Sequence, residues 1–421
     1  MCDTETAEIS SVTVLPVVQH GMLDGVLVLD LSRVLAGPYA TQLLTDLGAR
    51  VIKIESPRGD DTRTWGPPFV GEESGYFLSV NRGKESLAID LKSEEGRSIV
   101  QRLAHKADVL VENFKLGDLT RYGLDYEQVA EHNPGIVYAS IRGYGETGPR
   151  ASEPGYDAAL QAVTGIMAMT GEAGRPPVKL GVAWIDVLTG LHAAVGILAA
   201  LHERVKTGTG THLDLSLFEV SLASLVNQAQ ATLLTGQPPE RLGSAHPSIV
   251  PYQAFDTADE PLALTVGNDA QFTRAVEVLG LAHLAEDDRF RENRGRVEHR
   301  DVLIPMIQEA LRGAGRAAWL ERFRDANVSA SPVLHLADAL DDPQAKALGT
   351  VGAYDHPTAG RVPFVRSPLR HHGNPAYDGD VNPPPRLGEH GRDILTRDLG
   401  LHENEIEALE ASGCIVTPNA T

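Results

Sequence analysis

Two cysteines in 421 residues, Cys2 and Cys414, leave no material for a disulfide framework or a cysteine-based metal cluster. Basic residues are also short: 37 Lys and Arg stand against 57 Asp and Glu, a formal charge of −20. A field of that sign repels phosphate backbones and anionic lipid at long range, so no nucleic-acid or membrane partner is expected. Any anionic ligand must then be held by a few local donors. No uninterrupted apolar run reaches the roughly 18 residues of a membrane span, and no basic-then-apolar leader is seen. Together these absences predict a reduced, cytoplasmic protein. The fifteen histidines are scattered without H-E-x-x-H or other ligand spacing, so no metal site is expected. A nucleophile elbow of the G-x-S-x-G type and a Walker sequence are missing too.

What remains is a chain with 42% apolar and 22% charged residues, long enough for two or three domains. Residues 1–22 read as a mixed, acidic leader. Val26-Leu27-Val28-Leu29-Asp30 has the pattern of a buried strand, Gly37 to Gly48 that of a helix, and Val51-Ile52-Lys53-Ile54 that of a second strand. Strand-like runs recur at 87–89, 109–111 and 136–139, with helical spacing through Ile99 and Leu103. This alternation predicts a Rossmann-like, doubly wound parallel sheet. A helix is predicted from about Asp186 to Gly208, and another amphipathic stretch from Leu213 to Leu234. Strands near 252–255 and 262–266, then helices near 270–280, 298–312 and 316–325, predict a smaller α+β domain. The Pro- and Gly-rich stretch 350–391 shows little regular pattern. The domain boundaries follow as 23–225, 226–330 and 331–421.

Gly143-Tyr144-Gly145-Glu146-Thr147-Gly148 matches G-x-G-x-x-G after a strand. A dinucleotide site needs a helix opening inside that motif, and Pro149 and Pro154 interrupt it. An ordinary glycine-rich loop is the better reading. Asp186 stands where the extended Val182-Ala183-Trp184-Ile185 meets the long helix, so the helix field would favour its ionised form. It reads either as an N-cap or as a carboxylate nucleophile. Tyr156-Asp157 opens another predicted helix, with Asp157 as its cap and Tyr156 packed.

Several blocks occur in one order: Leu31-Ser-Arg-Val-Leu-Ala-Gly-Pro-Tyr39, Val51-Ile-Lys-Ile-Glu55, Asp60-Asp-Thr-Arg-Thr-Trp-Gly-Pro-Pro68 and Ala107-Asp-Val-Leu-Val-Glu-Asn-Phe114. They continue with Gly143 to Pro149, Gly155-Tyr-Asp157, Thr170-Gly171, Lys206-Thr-Gly-Thr-Gly210 and Pro384-Pro-Arg-Leu-Gly-Glu-His390. In this the chain resembles the class III coenzyme A transferases of the CaiB/BaiF type. The resemblance implies a large domain built from both chain ends and a homodimer of interlocked subunits. It makes Asp186 the nucleophile, forming an acyl anhydride and then an aspartyl-CoA thioester. CoA thioesters are implied as substrates, with no permanently bound cofactor, and short carboxylic acids as acceptors.

By position, the resemblance assigns CoA contacts to Val34, Ala36, Lys92, Asn113, Phe114 and Arg121. Some members carry a phosphate-contacting arginine where Ser56 stands here, and Arg58 or Arg63 is the substitute. Gly267-Asn268-Asp269 or Gly243-Ser244 replaces a glycine-rich lid. Racemases of the family use a Gly-His-Asp histidine, but Tyr156 occupies that place, and a phenol of ordinary pKa about 10 is ill suited to proton transfer near neutrality. Tyr156 and Asp157 therefore join Asp186 as candidate catalytic residues of a transferase. A racemase-type isomerase and a non-catalytic CoA-binding subunit are the alternatives. The blocks Gly59 to Val70, Ser79 to Arg82 and Ser244 to Phe255 resemble the succinyl-CoA:glutarate type most. A second substrate carboxylate needs a cationic or hydrogen-bonding partner, for which Arg33 and His246 are the candidates.

Overall fold

The computed structural model describes residues 21–371, 374–375 and 382–418. The expected leader therefore lies outside the described residues except for Gly21 and Met22, as does Cys2.

The N-terminal alternation folds as its periodicity predicts. Strands β1 (Leu27–Asp30), β2 (Arg50–Glu55), β3 (Lys84–Ile89), β4 (Val109–Glu112) and β5 (Val137–Arg142) pair in parallel. β6 (Thr211–Ser216) extends one edge, and β7 (Ile415–Val416) closes the other, antiparallel to β3. The order is β7-β3-β2-β1-β4-β5-β6. Strand alternation sends Leu29, Ile52 and Leu110 to one face, where they are fully buried against Ile99, Leu103, Ile394 and Ile406. Each such side chain contributes about 1.5–3 kcal/mol by leaving water. Val111 points to the opposite face, where the helix Ala36–Thr45 lies so close that a Cβ on Gly37 would be 3.7 Å from Val111 and 2.2 Å from the Ser32 hydroxyl. Only glycine fits there.

From β1 the chain winds outward through β2 to β3, then returns to the far side of β1 for β4 and β5. Such a reversal opens a crevice at the carboxyl ends of the two strands flanking it, here β1 and β4. Residues 31–34 and 113–114 therefore stand at the sheet's natural ligand position. The Pro384 to His390 block docks on β3: Gly388 N–H donates to the Ser86 hydroxyl at 2.9 Å and His390 N–H to the Ser86 carbonyl at 3.0 Å.

The chain divides into two compact units. One comprises the described residues up to Ser140, Ala193–Leu213 and those from Ala353 onward; the other comprises Ile141–His192 and Asp214–Gly352. The expected boundaries after 225 and 330 do not coincide with these points, because β5, β6 and the long helix Trp184–Thr207 each run through a change of unit. The second unit holds an antiparallel sheet of Tyr252–Phe255, Leu262–Thr265 and Ala330–Pro332. Phe272, Phe290, Leu303, Trp319 and Phe323 fill its core.

Two further expectations change. The stretch 213–234 is not one helix: Thr211–Ser216 is a strand, followed by helices Leu217–Ser224 and Val226–Thr235 that break at Leu225. Ser216 makes the switch, its hydroxyl accepting Glu219 N–H at 3.2 Å as an N-cap. Within 350–391, Val351–His356 pairs with Gly360–Val365, and Tyr354 and Val362 are buried with Leu78. Alternation there was masked by prolines and charges. The long helix has an 18-residue window of mean hydropathy 1.7, apolar and long enough to count as a candidate span, of which 44% is buried within the chain.

Candidate active site

β5 leads into the glycine-rich segment 143–148, and no helix follows until Asp157–Val163. No helix opens inside the motif, as the interrupting prolines predict. The glycines meet instead the start of the later helix Leu217–Ser224, whose Phe218 N–H donates to the Gly143 carbonyl at 3.0 Å. The segment also brings Gly143 against Gly155, just ahead of Tyr156-Asp157. Tyr156 is not packed: it is 67% exposed, and its side chain makes no cap.

Asp157 is the first residue of its helix and does not cap it. One of its carboxylate oxygens accepts Gln161 Nε2 at 2.5 Å, an i,i+4 pair on the same face. The other accepts the backbone N–H of Ile185 at 2.8 Å and of Asp186 at 3.3 Å. These are the second and third residues of the helix Trp184–Thr207. Their N–H groups have no partner within that helix, and N-cap side chains ordinarily serve them. Asp157 does so from 29 positions away. Gln161, fully buried, also accepts Leu180 N–H at 2.9 Å and so fixes the start of the segment that leads into the helix.

Asp186 therefore sits in the first helical turn and is half-buried. The expected preference for the ionised form is reversed. Burial, and the Asp157 carboxylate beside it, push its pKa from 3.8 up to about 7. The favourable helix dipole contributes well under 2 kcal/mol near a helix end, less than a shift of this size requires. A carboxyl group poised near neutrality is a mark of chemistry rather than of capping. His246 is half-buried in the same unit; its Nδ1 accepts Ser248 N–H at 3.0 Å, which leaves Nε2 as the nitrogen able to donate.

The other unit gathers the β1–β4 crevice. The Asn113 amide grips the Arg33 backbone from both sides, accepting its N–H at 3.0 Å and donating to its carbonyl at 2.7 Å. Val34 has φ 70°, a genuine outlier for a β-branched side chain. Its N–H is held by the Asp60 carboxylate at 3.3 and 3.4 Å. Asp60 is paired with Lys53 at 3.0 Å, both side chains 1% exposed. That cation and two hydrogen bonds from Thr62 hold the Asp60 pKa down at about 2, against the burial that works to raise it. Lys53 also donates to the Ser32 carbonyl at 2.8 Å, so one buried ion pair supports residues 32–34 together. A second pair, Lys84–Asp30 at 3.0 Å, lies wholly buried beneath. Strain held in place by buried charge at a sheet's ligand crevice is characteristic of functional loops.

Ala36 is buried at the start of its helix, and Phe114 packs on the sheet core with its N–H on Glu112 at 2.7 Å. Arg121 is exposed, 3.7 Å from Asp118. Lys92, also exposed, follows β3, three strand positions or about 14 Å across the sheet from β4, so it is separate from the Asn113 group. Of the two substitute arginines, Arg63 is spent: it makes a bidentate pair with Glu55 at 2.7 and 2.8 Å and lies 3.7 Å over the Phe77 ring. Arg58 is exposed. Gly267-Asn268 is committed to capping the helix Asp269–Val278 through Gln271, while Gly243 has φ 60° and donates to the Gly171 carbonyl at 3.0 Å.

Gln161, Lys53 and Asp60 were not singled out by sequence. A lysine inside the apolar run Val51-Ile52-Lys53-Ile54 and a glutamine four residues after Asp157 were the available signals.

A family model described as CoA-transferase family III matches residues 23–391. The chain is 42% identical over 381 residues to the succinate–glutarate CoA-transferase of Agrobacterium fabrum, covering 89% of this chain and 94% of the relative. It is 44% identical over 334 residues to the acetyl-CoA:oxalate CoA-transferase of Acetobacter aceti, covering 79% and 86%. A crystal structure of a CAIB/BAIF family protein from Brucella suis superposes with a TM-score of 0.79 at 43% identity, over 90% of this chain and all of that one.

Proposed function

This chain belongs to CoA-transferase family III, and we propose that it moves CoA from succinyl-CoA to a short dicarboxylate such as glutarate through covalent intermediates on Asp186. The observation that carries the reading is Asp186 itself, a carboxyl group in the first turn of a helix and lifted to about 7. A more basic carboxylate is a stronger nucleophile, and near pH 7 about half of it is ionised.

Ionised Asp186 attacks the thioester carbonyl and CoA thiolate leaves, giving a mixed anhydride. The thiolate then attacks the Asp186 acyl carbon, releasing succinate and leaving an aspartyl-CoA thioester. Glutarate attacks that thioester to form a second anhydride as the thiolate departs again. Attack of the thiolate on the glutaryl carbon yields glutaryl-CoA and restores the Asp186 carboxylate. Each step exchanges one acyl bond for another, so no redox change occurs.

Val34, Ala36, Asn113 and Phe114 are assigned to CoA, supported by their position at the sheet's switch point; Lys92 and Arg121 are assigned to its nucleotide end. Arg33 and His246 are assigned to the distal carboxylate. The Arg33 pair with Asp61 is 3.2 Å long with both side chains 58% exposed, a weak commitment that a substrate anion can replace. Tyr156, in the racemase histidine position, supports transfer over isomerisation. The relatives named for glutarate and for oxalate are almost equally similar, so the acceptor rests on the motif likeness and on the test below.

We further propose a cytoplasmic homodimer of interlocked subunits. Supporting a subunit interface, the helix Val226–Thr235 buries no residue, and Val195, Val205, Val226, Leu233 and Leu234 are 66–86% exposed.

Incubation with succinyl-CoA followed by borohydride should modify the peptide carrying Asp186, and Asp186→Ala should lose acyl exchange while keeping CoA binding. Labelling at Asp157 instead, or turnover above about a hundredth of wild type, would overturn the assignment.

A further inference from the structure

The bonds that reach Asp186 come from outside its own helix, and they form a bracket. Asp157 takes the N–H groups of Ile185 and Asp186 at 2.8 and 3.3 Å; Gln161 takes Leu180 N–H at 2.9 Å and gives its own N–H to Asp157 at 2.5 Å. The pair thus holds both ends of the segment Leu180–Asp186 on one face of a single short helix. Asp157 is 8% exposed and Gln161 fully buried, so water does not compete for these bonds.

We infer that Asp157, locked by Gln161, is a positioning residue that fixes the backbone of Asp186 and keeps a negative charge beside its carboxyl group. This rests on the reading of Asp186 as nucleophile and adds how the chain makes it one. An ordinary N-cap serine or asparagine would satisfy the same two N–H groups without charge. An aspartate does both. Two other ionisable residues flank Asp186 in the chain. Lys179, on the segment leading in, is tied to the Leu180 carbonyl at 3.0 Å, and His192, further along the helix, to the Leu188 carbonyl at 2.8 Å. Among the described residues Asp157 is the charge whose field shifts Asp186.

The variants separate the two roles. Asp157→Asn keeps an acceptor for Ile185 and Asp186 but turns an NH2 group toward the Gln161 NH2, so both charge and bracket are lost. Asp157→Asn with Gln161→Glu restores a complete set: the glutamate accepts from Leu180 and from the new asparagine, with the charge moved one side chain further from Asp186. The readout is the rate of succinyl transfer to Asp186, trapped with borohydride, from pH 5 to pH 9, beside thermal unfolding and the KM for succinyl-CoA.

The expected result is a wild-type rate that falls below a midpoint near pH 7. In Asp157→Asn the midpoint should drop by one pH unit or more and adduct formation at saturating donor should slow at least tenfold, with KM changed less than threefold. The double variant should recover the wild-type unfolding temperature while its midpoint stays below wild type, and it serves as the test if the single variant does not fold. A midpoint unmoved in either folded variant would overturn the proposal, whatever the rate does, because a merely structural bracket predicts that. No adduct on Asp186 in the wild type would instead remove the nucleophile reading, and this proposal with it.

Discussion

Gly143 and Gly155 meet backbone to backbone: a Cβ on Gly143 would stand 2.5 Å from the Gly155 Cα, and one on Gly155 2.2 Å from the Gly143 Cα. Neither adopts a left-handed φ, so the requirement is space alone. This contact ties the glycine-rich segment to the residue that precedes Tyr156-Asp157.

Gly155→Ala should therefore destabilise the protein by about 2–3 kcal/mol, since backbone atoms cannot yield as a side chain would. Because Asp157 follows two residues later, acyl exchange should fall as well. An unchanged denaturant midpoint in urea would show that the two strands of chain can part without cost.

Asp186→Asn should stabilise the fold while removing activity. With its folded pKa raised from 3.8 to about 7, Asp186 holds its proton more tightly folded than unfolded. Its contribution to stability is full below about pH 4 and is lost as pH rises through 7. The asparagine carries no such penalty. The variant should gain about 1–2 kcal/mol at pH 8, after allowance for partial exposure, and almost nothing at pH 4. Chemical denaturation at the two pH values checks this, and an equal gain at both would contradict the raised pKa.

Asp60→Ala should cost about 3–5 kcal/mol, because it strands the Lys53 ammonium without its carboxylate. Adding Lys53→Met should recover much of that loss. The Asp60 pKa is depressed to about 2, so the pair's contribution is present above pH 4 and disappears as pH falls through 2. A double variant no more stable than Asp60→Ala would mean that the pair does not act as a unit.

Asn113→Ala removes both bonds that hold the Arg33 backbone across the β1–β4 crevice. The expected effect is a KM for succinyl-CoA raised about tenfold, with kcat within threefold, as for loss of one to two net hydrogen bonds in binding. Initial-rate kinetics decide it; a fall in kcat alone would place Asn113 with the chemistry rather than with CoA.

Glutarate should be preferred over pentanoate as acceptor by about 100-fold, because a site that pairs a distal carboxylate leaves its donors unsatisfied by a methyl group. Arg33→Ala or His246→Ala should narrow that gap. Equal specificity constants would refute the dicarboxylate assignment without touching CoA transfer.

Sequence alone determined the parallel sheet, the long helix and the candidacy of Asp186, since each depends on local periodicity or on short motifs whose residues are neighbours in the chain. Periodicity sets the start of that helix near Asp186 and reads Trp184 and Ile185 as extended, whereas both are helical. Val28-Leu29 and Val51-Ile52 read as strands because strand burial repeats every two residues. The sequence also offered Asp157 as a cap, but for the wrong helix. Which N–H groups a carboxylate accepts is a matter of what packs beside it, and the 28 positions from Asp157 to Ile185 carry no periodic signal of their meeting. The same holds for the acidity of Asp186. Its place in a first helical turn was readable, while the burial and the neighbouring charge that outweigh the helix dipole exist only once the Asp157 helix is laid against it. Lys53 and Asp60, likewise, became a support for Val34 only when folding took both out of water together.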